Sequence, residues 1–194
     1  MTTNKIGIFL LAAVMLYACE SAEKKQERIS LLTSFEQLMD SVHIAFDSIT
    51  TVEKRKFFLA KRIADDLQFD ALVPLTTISD LRMALKRAES IAYTQTSIRD
   101  SNLIDTYDLA MDSLANQITV SLHQVIRLEQ YPVLIDMEQE FMTLRESTLP
   151  LRIYHDDFAI RATMLLRTLK TNGHKDFASV LNMPEPPLFQ LAPI

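Results

Sequence analysis

The chain has 194 residues, 48% of them hydrophobic and 23% charged; that is enough apolar content for one domain with a real core and too much for a disordered chain. Its only glycines are Gly7 and Gly173, whereas a sheet protein of this size needs many glycine-built turns, so composition argues against strands and for few, long helices. The net charge of −5 argues against nucleic acid as a partner, which calls for a basic surface.

The N-terminus reads Met-Thr-Thr-Asn-Lys, then an apolar run from Ile6 to Leu16, then Leu16-Tyr17-Ala18-Cys19. A short positive region, an apolar stretch below the roughly 20 residues needed to span a bilayer, and a small residue before the cut describe a secretory signal peptide over residues 1–18. The ending Leu-x-Ala-Cys resembles the lipoprotein class. That resemblance implies cleavage after Ala18, diacylglycerol on the sulfur of Cys19 and a further acyl chain on the new amine. Cys19 is the only cysteine, so no internal disulfide or thiolate metal cage is available. Cutting there removes one lysine and no acid, taking the net charge from −5 to −6.

Residues 19–28 are polar and read as a tether, or a frayed helix start, between lipid and domain. Residues 29–180 carry four apolar seams. The first is Leu32, Phe35, Met39, Val42, Phe46 and Ile49, with the alternating steps of three and four of helices packed nearly parallel. After Thr50-Thr51 the phase slips, and the seam resumes at Val52, Leu59, Ile63 and Leu67. This predicts one helix from about Gln26 to Leu72, irregular at the two β-branched threonines and ended by Pro74.

The second seam is Ile78, Leu81, Leu85, Ala88 and Ala92, opened by Thr77 and Asp80 as a loose capping box. The third is Ile104, Tyr107, Met111, Leu114, Ile118, Val125 and Leu128, capped by Asp100 or Ser101 and closed by Tyr131-Pro132. The fourth is Leu144, Thr148, Leu151, His155, Phe158, Ala162, Leu165 and Leu169, with a kink expected at Pro150 and a left-handed ending at Asn172-Gly173. In residues 181–194, Pro184, Pro186 and Pro187 exclude helix, but Leu188, Phe189 and Leu191 form an apolar cluster expected to fold back on the helices. The fold class expected is therefore all-α: an antiparallel bundle of about four long helices with a short Pro-rich tail docked on it.

From about Phe46 onward the chain resembles the LemA family of membrane-associated bacterial helical proteins. The likeness rests on Phe46-Asp47-Ser48-Ile49 followed by Arg55, on Tyr131-Pro132 followed by Phe141 and Leu144, and on Phe177-Ala178 with the closing Phe189. It differs from the family's last helix, where Thr148 stands at the usual Glu, His155 at the usual Arg, and Phe158-Ala159 at the usual Tyr-Asn. The resemblance implies a helical architecture at a membrane and carries over no established catalytic activity. Family members are held by an N-terminal membrane helix, where a lipid on Cys19 is expected here.

No constellation of residues announces chemistry. His43, His123, His155 and His174 lack a second ligand at metal-motif spacing, and in His155-Asp156-Asp157 the two acids are expected to turn away from the seam. Asp65-Asp66, Glu138 and Glu140 offer carboxylates for acid–base work, but adjacent helical acids diverge by about a quarter turn. Among nine methionines, Met39 and Met111 fall on seams and read as core. Thr148 and His155 are the only polar residues the pattern places inside, as a hydrogen-bonded core layer setting helix register. The function expected is a non-catalytic interaction or scaffold module with no cofactor. It is held to a cell membrane or outer membrane through Cys19, facing periplasm or cell exterior, with a protein partner in the envelope. The alternative is an enzyme or small-ligand binder with a site near Thr148 and His155.

Overall fold

The structure is a computed structural model that describes the backbone of residues 3–69, 73–171 and 182–189, with side chains described within these from Lys25 onward, Arg28 excepted. Four helices follow in order: α1 (Thr3–Leu67), α2 (Leu75–Ser90), α3 (Ser101–Leu122) and α4 (Pro132–Thr171), with short 3₁₀ turns at Ser97–Arg99 and Leu128–Gln130. No strand occurs among the described residues. Asn172-Gly173, His174, Phe177-Ala178 and Leu191 lie outside the described residues, as does the side chain of Cys19.

α1 is one unbroken helix through residues 19–28 and through Thr50-Thr51, so the expected irregularity is absent. Both threonines turn their hydroxyls back on the preceding turn, Thr50 Oγ1 donating to the Phe46 carbonyl at 3.0 Å and Thr51 Oγ1 to Asp47 at 2.8 Å. Such bonds satisfy a β-branched hydroxyl without breaking the helix. The slip in the apolar seam has another cause. The buried positions of α1 run Phe35, Val42, Ala45, Ile49, Glu53, Lys56, Leu59, Ala60, Ile63, Ala64 and Leu67, a continuous helical stripe in which two charged residues occupy the gap.

The helix ends at Leu67, ahead of Pro74. Pro74 instead stands just before α2 with extended backbone, and its carbonyl accepts from the amides of Thr77 and Ile78 at 3.0 and 3.4 Å. No side chain caps α2, so the Thr77–Asp80 box does not form. Asp100 caps α3 by accepting from the Leu103 amide at 3.2 Å. α3 stops at Leu122, well before Tyr131-Pro132. The chain then turns through Arg127, a non-glycine residue at φ 61°, and Pro132 opens α4, where its missing N–H costs no bond. α4 begins three turns earlier than its expected seam and continues through Pro150.

α4 runs antiparallel along α1, bringing Phe35 together with Leu166, and Lys56 with Thr148. α2 and α3 pack on each other and close over the C-terminal half of α1. The main core lies there, built from Leu59, Ile63, Leu67, Leu81, Tyr107, Leu114, Ile118 and Phe141 with their neighbours. Toward the N-terminal side, only α1 and α4 remain among the described residues, closed by Phe35, Ala162, Leu166 and Leu169. The tail lies across the junction of these two regions. Phe189 and Pro186 are buried and Leu188 is half-buried, with Phe189 packed among Ile49, Ile98 and Ile104.

Candidate functional site: a buried ionic and aromatic layer

Where the two regions of the bundle meet, all the helical elements but α2 send a polar or aromatic side chain inward, and the segment after α2 adds Tyr93. From α1 come Glu53 and Lys56; from α3, Tyr107 and Asp108; from α4, Thr148, Arg152 and His155; from the tail, Phe189. Glu53, Lys56, Thr148, Arg152 and His155 are all buried. Thr148 and His155 thus stand inside, as their spacing predicts. Their partners Glu53, Lys56 and Arg152 are charged residues that an apolar pattern passes over.

Glu53 is the hub of one half. Its carboxylate takes the Lys56 ammonium at 2.8 Å, the Tyr107 hydroxyl, and the Tyr93 hydroxyl at 3.4 Å. Lys56 also donates to Thr148 Oγ1 at 3.1 Å, and that hydroxyl in turn donates a hydrogen bond to the Leu144 carbonyl at 3.0 Å. Burial disfavours the charged ammonium and holds the pKa of Lys56 below its ordinary value, against the opposing pull of Glu53. Burial, reinforced by the Glu53 charge, pushes the phenols of Tyr93 and Tyr107 up. Both phenols are thus protonated donors.

Arg152 is the hub of the other half. Two bonds join its guanidinium to Asp108 at 2.7 and 2.8 Å. Burial works against that charge, but the paired bond to Asp108 and the nearby tyrosine outweigh it and the pKa is raised. The guanidinium also lies over the rings of Tyr93 and Phe189, 5.6 and 5.2 Å from their centres, a geometry suited to a cation on a π-face. Edge-on contacts link Tyr93 to Tyr107 and to Phe189, and His155 to Phe46 and Phe189.

His155 corrects the expectation that the acids after it turn away. Asp156 lies 3.1 Å from His155 Nδ1 and its same oxygen accepts from the Phe189 amide at 3.0 Å. The reason is tertiary: the docked tail excludes solvent from the flank of α4, so Asp156 folds over to serve two donors. Asp157, one residue on, stays exposed and pairs with Arg161. Two nitrogens of the layer, Arg152 Nε and His155 Nε2, are buried with no hydrogen-bond partner among the described residues.

The other candidate residues do not converge. Asp65 meets Arg82, Asp66 meets Arg62, Glu138 accepts from Thr119 and Glu140 pairs with Arg55. His43 is exposed and bonded to Gln95, and His123 is exposed. Among the described residues no group of three or more His, Cys, Asp or Glu side chains is placed to hold a metal ion. No described helix is long and apolar enough to cross a membrane.

Two recesses formed by described residues lie away from the layer. One, of about 670 Å³, opens between α1 and α4 beside Ser41 and Phe158. The other, of about 390 Å³, lies at the end of the bundle where α1 stops and α4 starts, and is lined by Asp66, Leu67, Phe69 and residues 130–134.

Chemically, the layer couples the buried pair Glu53 and Lys56 to a second pair in which the buried Arg152, lined by aromatic rings, reaches out to the half-exposed Asp108. Such an arrangement fixes the register of α1, α3 and α4 against one another. It also grips an aromatic side chain from an extended segment. Compared with protein-family profiles, curated proteins and solved structures, the chain matches none.

Proposed function

We propose that this is a lipid-anchored protein of the cell envelope that acts as a non-catalytic interaction module. The lipid would sit on Cys19 and a partner protein would bind at the opposite end of α1. The observation that carries this reading is the apolar surface at that far end. Phe69 and Leu75 are 86% and 80% exposed, and Ile126 and Tyr131 on the neighbouring connection and Val133 in the first turn of α4 are exposed too. Phe69, Tyr131 and Val133 share one recess. Large apolar side chains gathered around a recess mark an interaction surface. Helix α1 is continuous from Cys19 to Leu67, which sets ~70 Å of contour between lipid and surface at 1.5 Å per residue. The likeness to the LemA family belongs to the same proposal: Ile49, Phe141 and Phe189, which carry part of it, all face the interior.

The test is cross-linking in intact envelopes, comparing the parent chain with Cys19→Ser and with Phe69→Asp combined with Val133→Asp. Cys19→Ser should leave the membrane fraction, and the double variant should stay anchored but lose its cross-linked partner. Membrane retention of Cys19→Ser after detergent partitioning defeats the anchor, and an unchanged cross-linking pattern in the double variant defeats the surface.

A second reading, a small-ligand or catalytic site at Thr148 and His155, is favoured by Arg152 Nε and His155 Nε2, which are buried and have no partner among the described residues. A His155→Ala chain that folds, keeps its partners and still loses its cellular role would establish it.

A further inference from the structure

The tail is held on the helices in the manner of a bound peptide. Met183–Phe189 has neither helix nor strand, and its contacts divide into a rim and an anchor. At the rim, Arg167 grips the Glu185 carboxylate with two bonds of 2.8 and 2.9 Å. Arg99 donates to the Glu185 carbonyl, and Lys170 to that of Met183 at 3.1 Å. Three cations thus face one acid and two carbonyls. At the anchor, Pro186 is buried, the Phe189 ring sits between Tyr93, His155 and the Arg152 guanidinium, and its amide bonds Asp156.

The two parts differ in strength. Arg167 and Glu185 are largely exposed, and exposed ion pairs contribute little. A fully buried aromatic side chain in a close-fitting pocket dominates this kind of contact. Nothing in these contacts distinguishes the chain's own tail from the same pattern on another protein. The own tail has only the advantage of its tether, which acts as an effective concentration of roughly millimolar order. Among the described residues, the floor beneath Phe189 carries two buried nitrogens without a hydrogen-bond partner, Arg152 Nε and His155 Nε2.

We propose that this groove is a docking site for an extended peptide of a partner protein, and that the chain's own tail closes it in cis. The partner segment carries an acid, two prolines directly after it, and an aromatic residue four positions beyond the acid, as Glu185, Pro186, Pro187 and Phe189 do. The partner gains the groove by displacing the tail. This surface is separate from the apolar end of the bundle and stands or falls independently of it.

The experiment uses full-length protein and a labelled synthetic peptide of residues 182–190, read by fluorescence anisotropy. In Phe189→Ala the cis competitor loses its anchor, and the peptide should bind at least ~10-fold more tightly than to the parent chain. The same peptide with its phenylalanine changed to alanine should not bind. Glu185→Ala in the full chain loosens only the rim and should raise affinity ~3-fold, which decides the matter if Phe189→Ala fails to fold. Equal binding to parent and variants, folded variants that bind no peptide, or binding that survives loss of the peptide's phenylalanine overturns the proposal.

Discussion

The two regions of the bundle use the same seam pattern to different effect. On the C-terminal side of α1, four helices enclose Leu59, Ile63, Leu81, Leu114 and Phe141. On the other side, among the described residues α1 and α4 alone shield Phe35 and Leu166, with Leu31, Leu32, Leu38 and Met39 only partly covered. A seam shows which face a helix buries but not how many neighbours cover it. Between the regions sits the ionic layer, where an apolar continuation would have served packing but not the docking of the tail.

The layer should give the largest effect. Glu53→Ala leaves the Lys56 ammonium buried without a counter-charge and the Tyr107 hydroxyl without its acceptor. We expect a loss of ~3–5 kcal/mol in urea unfolding. A smaller loss than that of a core leucine would mean that water replaces the carboxylate and that the layer is not a dry boundary between the regions.

A matched pair of substitutions sharpens the comparison. Leu114 and Leu166 are both fully buried, one in each region. Leu114→Ala should fall near the upper end of the ~2–5 kcal/mol range and Leu166→Ala near the lower end, because a two-helix contact relaxes more readily around a cavity. Equal costs would break the distinction. Amide exchange should follow the same order, faster around Leu166 than around Leu114.

Alkaline pH probes the layer directly. Tyr93 and Tyr107 have folded-state pKa values raised above their unfolded ones. They bind more protons folded than unfolded above about pH 10, so their contribution is full below that pH and is lost as pH rises. Lys56, lowered by burial, has the opposite sign and favours folding increasingly as pH approaches its unfolded value. With two phenols against one ammonium, net stability should decline above about pH 10. The phenolate absorbance of these two tyrosines should appear only with unfolding. Tyr93→Phe should flatten the decline. If its profile matches that of the parent chain, Tyr93 is not titrating from a buried site.

The smallest expected effect lies at the far end of the four-helix region. Arg127 holds φ 61°, a conformation that costs a non-glycine residue ~1–2 kcal/mol. Arg127→Gly should raise stability by up to ~1 kcal/mol after the entropy of glycine in the unfolded chain is set against it. A loss would show that the Arg127 side chain carries a contact that outweighs its backbone strain.

Much of the architecture was legible in the residues. Two glycines and four seams specify helices, because a period near 3.6 can bury one face only in that form. Asp100 and Ser101 mark the start of α3, and Asp100 is the one whose carboxylate satisfies a free amide there. Phe189 announces a docked tail, because an aromatic residue among prolines has little reason to lie free. Thr148 and His155 also show themselves, as polar residues on an otherwise apolar stripe.

Tertiary structure decided the rest. Glu53, Lys56 and Arg152 read as surface charges, because one helix alone would place them in water. They are buried because residues distant in sequence, Tyr93, Tyr107, Asp108, Thr148 and Phe189, are brought to meet them. The apparent slip after Thr50-Thr51 was those same two charges of α1 occupying seam positions. Asp156 reads as solvated until the tail arrives to offer its amide. In each case local periodicity reports only how a residue is placed around its own helix. Whether a charge there is tolerated depends on partners distant in sequence, because the cost of burying it falls only when an opposite charge and hydrogen-bonding groups are delivered to the same point.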